Sequence, residues 1–131
     1  MRFLEEGRRK KPQIFSQYPL FTALCRFGAT SAYAAQKFGD APQQMTAGNV
    51  SVLSNGNVII YDENAQKVLE FFSVQEMREA TRDFPEPEKE CDVTVLTGKK
   101  KIFFSFDSLK EKNIFWTVLN FERNNAAPAE K

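Results

Sequence analysis

The sequence contains no histidine. Ser-His-Asp and Cys-His centres are therefore excluded, and the commonest zinc ligand is missing. Cysteine is scarce: Cys25 and Cys91 are the only two. They are far apart in sequence and form no CxxC pair, and no GxxxxGK[ST] loop occurs to cradle a phosphate. Nothing in the spacing of Asp and Glu suggests a paired-carboxylate centre. We therefore expect no enzyme, no catalytic residue, no metal site and no cofactor. No apolar run approaches the ~18 residues of a membrane span. The basic N-terminus is not followed by the apolar stretch of a secretory signal. A cytoplasmic protein with two free thiols is the expectation, although two cysteines can also form a bridge. Net charge is only +1, which leaves no strong field to draw nucleic acid.

What is abundant is phenylalanine, 13 of 131 residues, within a hydrophobic fraction of 42%. That is enough for one domain with one core. We expect an N-terminal extension over 1–27, a domain over 28–123, and a tail or linker over 124–131. In the extension, Leu20, Phe21 and Leu24 have helical spacing and Gly28 offers a stop, predicting a short helix over 20–27. Residues 31–38 suit either a helical turn or a strand. From Gln44 the pattern is a meander, with short β-prone runs at 49–53, 58–62 and 67–72. The Ser54-Asn55-Gly56-Asn57 turn predicts a type I′ hairpin with positive φ at both central residues. A polar run at 75–84 suits an edge strand, and 91–96 and 102–106 form a second hairpin around Thr97-Gly98-Lys99. Ser108 and Glu111 have capping-box spacing, and Asp107 complements the dipole of a helix running to about Arg123.

Meander followed by helix resembles the pleckstrin-homology superfamily. The likeness is strongest over 93–121, where Val93-Thr94-Val95-Leu96-Thr97-Gly98-Lys99-Lys100-Lys101-Ile102-Phe103-Phe104-Ser105-Phe106-Asp107-Ser108 looks like the last hairpin entering a Ser-capped helix. Trp116 stands close to the family's helix tryptophan. A weaker match makes 30–38 the first strand and 44–53 the second. The resemblance implies a mainly β fold: two roughly orthogonal sheets, a sandwich or barrel, capped by one C-terminal helix, here with a short helical N-terminal extension.

It also implies a lipid site, with a lysine late in the first strand and more basic residues early in the second. Lys37 fits, but Gln43, Gln44, Met45 and Thr46 supply no positive charge, so specific phosphoinositide binding is not expected. Weaker candidates for an anionic ligand or membrane are Arg8, Arg9, Lys10 and Lys11, with Lys99, Lys100 and Lys101. Nucleic acid is not expected, because the aromatics fall at core positions rather than among basic residues.

The helix divides into two apolar arcs. Leu109, Trp116 and Leu119 form one, with Phe115 at its margin; Ile114, Val118 and Phe121 form another nearly opposite. The second arc is covered either by the extension, through Phe15, Tyr18, Leu20, Phe21 and Leu24, or by a protein partner or second copy. Arg78 and Arg82, in the predicted edge strand, are further protein-contact candidates. The leading expectation is a non-catalytic protein-interaction or scaffold module, in a larger cytoskeletal or signalling assembly. Phosphoinositide or anionic-membrane binding is the alternative.

Overall fold

The computed structural model describes residues 18–39 and 44–125. Arg8, Arg9, Lys10, Lys11, Phe15 and Gln43, and the residues after Asn125, lie outside them. The first element is a strand, β1 (Pro19–Ser31), not the helix expected over 20–27. Phe21, Ala23, Cys25 and Phe27 alternate toward the core while Leu20, Thr22, Leu24 and Arg26 face away. The apolar Leu20 and Leu24 on the outer face obscured this period of two, and pairing with two neighbours overrides the helical spacing. β1 also runs through Gly28, where the sequence placed the junction between extension and domain.

Residues 30–38, the first strand by resemblance, divide between the end of β1 and a helix, α1 (Ala32–Phe38). Ser31 caps it by accepting from the Ala34 N–H at 3.0 Å, and Gly39, at φ +102°, ends it. Three alanines within seven residues favour the helix over a strand. The meander follows as β2 (Thr46–Leu53), β3 (Asn57–Asp62), β4 (Val68–Ser73), β5 (Met77–Thr81), β6 (Asp92–Thr97) and β7 (Lys100–Phe106), then α2 (Leu109–Asn125). The β2–β3 turn departs from type I′. Asn55 keeps a negative φ, only Gly56 is positive at +89°, and the Gly56 N–H donates to the Leu53 carbonyl at 3.0 Å. This is a three-residue loop closed by a left-handed glycine. Its carbonyl accepts from Val74 N–H at 2.9 Å, so the turn also anchors the corner between β4 and β5.

The strands form one antiparallel sheet in the order β4-β3-β2-β1-β7-β6-β5. β1 pairs with β2 over 19–27 and with β7 over 25–31. The two halves meet through a shared core that includes Val50, Ile60, Val95, Ile102 and Phe104. This is the expected sandwich, but it is not a closed barrel: β4 and β5 remain edges.

Helix α2 caps the core. Ser108 Oγ accepts from the Glu111 N–H at 3.1 Å, the predicted cap. Phe115 lies 5.0 Å from both the Phe104 and Phe106 rings and 5.8 Å from Phe21. The buried stripe is Lys112, Phe115, Leu119 and Glu122. It is centred on Phe115 rather than on the predicted Leu109–Trp116–Leu119 arc. Leu109 is exposed and Trp116 half-buried. In an equilibrium urea titration, Leu119→Ala should cost about 2–5 kcal/mol through lost burial and the cavity left behind. Phe121→Ala should stay within about 0.5 kcal/mol. Equal losses would contradict this orientation of the helix.

Candidate functional site

The sequence-derived candidates do not assemble into one site. Ile114 is 41% and Phe121 59% exposed, while Val118 packs against the core, so the second helix arc is split. Tyr18, Leu20 and Leu24, one of the two covers expected for that arc, are exposed on or beside β1; Phe21 reaches α2 at Phe115, and Phe15 lies outside the described residues. Arg78 lies over Gly98, where an added Cβ would sit 3.6 Å from its guanidinium. Arg82 stacks on the Trp116 ring at 5.1 Å. Beside it, a groove of about 530 Å³ runs between residues 82–90 and the start of α2. Buried Lys112 lines it and donates to the carbonyls of Arg82 and Glu90, each at 2.6 Å. Arg82 and Lys112 therefore clamp the 82–90 loop onto the helix.

The lysines fall differently. The Ala32 N–H donates to the Lys99 carbonyl at 2.9 Å, bringing α1 to the same end of the sheet as Lys99, Lys100 and Lys101. Lys100 pairs with Glu70 of β4, so its charge is neutralised within the protein. Lys101 lies over the Phe103 ring at 5.7 Å. Lys37 donates to the Tyr33 hydroxyl at 3.1 Å and lies 5.8 Å from the Phe38 ring. Tyr33 and Phe38 themselves face solvent, Phe38 at 77% exposure.

The outside of β1–β4 gathers exposed apolar side chains on β1 and β4, with Ile59 and Tyr61 of β3 between them. Cross-strand register sets two rows there: Thr22, Ser51, Ile59, Phe71, and beside it Leu24, Asn49, Tyr61, Val68. Leu20 extends the surface along β1. Leu20, Leu24, Val68 and Phe71 are between 37% and 60% exposed, and Ile59 and Tyr61 are half-buried among them. An antiparallel sheet with one wet face ordinarily alternates apolar and polar residues, and large apolar side chains gathered on an exposed face mark a surface for contact. Sequence reasoning missed this surface, although Val58-Ile59-Ile60-Tyr61 in β3 is an unbroken apolar run and was the available signal.

Burial, reinforced by Asp107 and Glu111, pushes the Cys25 thiol up to about 12, so it packs as an apolar side chain. Cys91 is free and half-buried. Among the described residues no group of His, Cys, Asp or Glu is placed to hold a metal ion, and no helix is long and apolar enough to cross a membrane.

Solved structures share this arrangement. The C-terminal domain of an unknown protein from Leishmania infantum superposes with a TM-score of 0.62 at 10% identity, covering 86% of this chain and 90% of that one. The DH/PH fragment of PDZRHOGEF in complex with human RhoA gives 0.62 at 7%, covering 84% of this chain and 30% of that chain. Inner Membrane Complex Sub-compartment Protein 3 from Toxoplasma gondii gives 0.55 at 14%, covering 79% and 75%. No protein-family model matches the chain, and no curated protein matches it.

The thiol environments make a direct prediction. Iodoacetamide at pH 8 should modify Cys91 more than about 100-fold faster than Cys25. The folded state keeps the Cys25 proton after the unfolded chain has released it. Stability is therefore retained below the ordinary thiol value near 9 and lost as pH rises from there to about 12. Cys25→Ser should flatten that alkaline loss in denaturation measured across pH; an unchanged slope would contradict the assignment.

The seven-stranded antiparallel sheet, folded on itself and capped by α2, is a pleckstrin-homology-like fold.

Proposed function

We propose that this chain is a non-catalytic protein-interaction module whose binding surface is the outer face of β1–β4. The observation that carries the reading is the set of exposed apolar side chains on that face, Leu20 and Leu24 of β1 and Val68 and Phe71 of β4, with Ile59 and Tyr61 of β3 beside the latter pair and polar Thr22, Ser51 and Asn49 between. Fully burying a large apolar side chain is worth about 1.5–3 kcal/mol. Leu20, Leu24, Val68 and Phe71 start roughly half-covered, so a partner gains about 3–6 kcal/mol gross from them. Association alone costs an estimated 4–15 kcal/mol. The face therefore suits a module that binds alongside a second contact or as part of a larger assembly. The neighbours that carry this fold, one from a complex with RhoA and one an inner membrane complex sub-compartment protein, support a signalling or cytoskeletal setting. Two free thiols suit the reducing cytoplasm.

A second reading rests on α1. Tyr33 and Phe38 project into solvent around Lys37, at the end of the sheet that also carries the Lys99–Lys101 turn. Aromatics beside lysines suit the interface of an anionic membrane, at about 1 kcal/mol per basic residue. The Lys100–Glu70 pair argues against a deep headgroup pocket at that end. Surface contact is what remains.

The two readings separate experimentally. A photo-crosslinking residue at Leu24 should yield a discrete protein adduct in extract of the native cells, abolished by Leu20→Asp, while the same residue at Glu88 yields none. Absence of an adduct at position 24, or an equal adduct at 88, would overturn the first reading. For the second, Phe38→Asp with Lys37→Glu should abolish pelleting with phosphatidylserine vesicles. Wild-type protein that stays in the supernatant at low salt would overturn it.

A further inference from the structure

The sheet ends in two unequal edges. Edge strands invite pairing with another chain, and proteins ordinarily blunt them with charge, proline, bulges or cover. β5 is blunted in several ways. It carries Arg78 and Glu79, its register is irregular between Met77 and Glu79, and Arg123 Nη2 donates to the Met77 carbonyl at 3.2 Å. β4 is Val-Leu-Glu-Phe-Phe-Ser, without proline or lysine. Its one charged residue, Glu70, pairs with Lys100 and so offers no repulsion along the edge. The irregularity in its ladder lies at Leu69, leaving 70–73 in unbroken register with β3.

We infer that β4 is a strand-pairing edge and that its occupant is β4 of a second copy, in antiparallel register about a two-fold axis. Three features select that occupant. With Glu70 neutralised internally, two β4 strands approach without like charges meeting. Such an axis stands perpendicular to the sheet, so the outer faces of both copies lie on the same side. The apolar group of Ile59, Tyr61, Val68 and Phe71 on β3 and β4 then continues into that of the second copy and covers the exposed flanks of Val68 and Phe71. Finally, the defended β5 edge opposes β4-to-β5 pairing, which would propagate as an open filament; β4-to-β4 pairing closes as a dimer. The inference rests on the reading of the outer face only in that Val68 and Phe71 belong to both.

Two measurements on the full chain test it together: molar mass by sedimentation across a wide concentration range, and amide hydrogen exchange across the same range. The expected result is a mass that doubles with concentration while amides within 68–73 slow by about tenfold or more relative to the monomer. Phe71→Lys should hold the chain monomeric, whereas Leu24→Asp, three strands away, should still dimerise. A chain monomeric throughout overturns the proposal. So does a dimer without concentration-dependent protection in β4, which pairs elsewhere. If Phe71→Lys fails to fold, the exchange pattern of the wild type decides alone. Loss of the Leu24 crosslink with dimerisation intact would sink the partner-binding face and leave this inference standing.

Discussion

β1 is the strand on which the rest of the fold depends, because it belongs to both halves of the sheet. Its first part holds β2, its second part holds β7, and Cys25, Arg26 and Phe27 are paired on both sides at once. β2, β3 and β4 join the sheet on one side of that junction and β7, β6 and β5 on the other. The crowding there is visible at Gly48, opposite Cys25: an added Cβ would stand 2.5 Å from the Tyr61 carbonyl oxygen and 3.2 Å from the Phe27 ring. Helix α2 follows from the same geometry. Phe21 at the start of β1 and Phe104 and Phe106 of β7 bring their rings to one place, and Phe115 packs against all three.

The division between inner and outer faces then sets what the molecule can do. Inner positions are filled by Val, Ile and Phe at or near zero exposure, and the buried lysine is spent on two backbone carbonyls. Cys25 is held as a thiol. The interior is committed to holding the fold. Outside it lie a sheet face with exposed apolar side chains on β1 and β4 and an aromatic helix with lysines at one end.

Much of the fold was legible because its signals were local. Turn chemistry around Gly56 and Gly98, the Phe-rich final strand and the Ser108 cap each sit within a few residues and place β2, β3, β6, β7 and α2 to within a few positions. β1 was not legible, because Leu20 and Leu24 look helical until β2 and β7 are known to flank them. The helix arcs were only half legible. A wheel gives relative angles and leaves open which arc meets the core, and here Phe115, placed at a margin, is the residue at the centre. The outer face was missed for a related reason. The unbroken run in β3 shows that both faces of a strand are apolar, but its neighbours Val68 and Phe71 become adjacent only through register.

The central claim is that the outer apolar face of β1–β4 is dispensable for folding and is there to be covered by another chain. The most direct test replaces Leu20, Leu24, Val68 and Phe71 together by Thr and follows equilibrium unfolding in urea. If the claim holds, the variant unfolds cooperatively with a free energy within about 2 kcal/mol of the parent, consistent with ordinary surface substitutions. A variant that loses its cooperative transition would show that the chain's own fold requires that face, and would contradict the account.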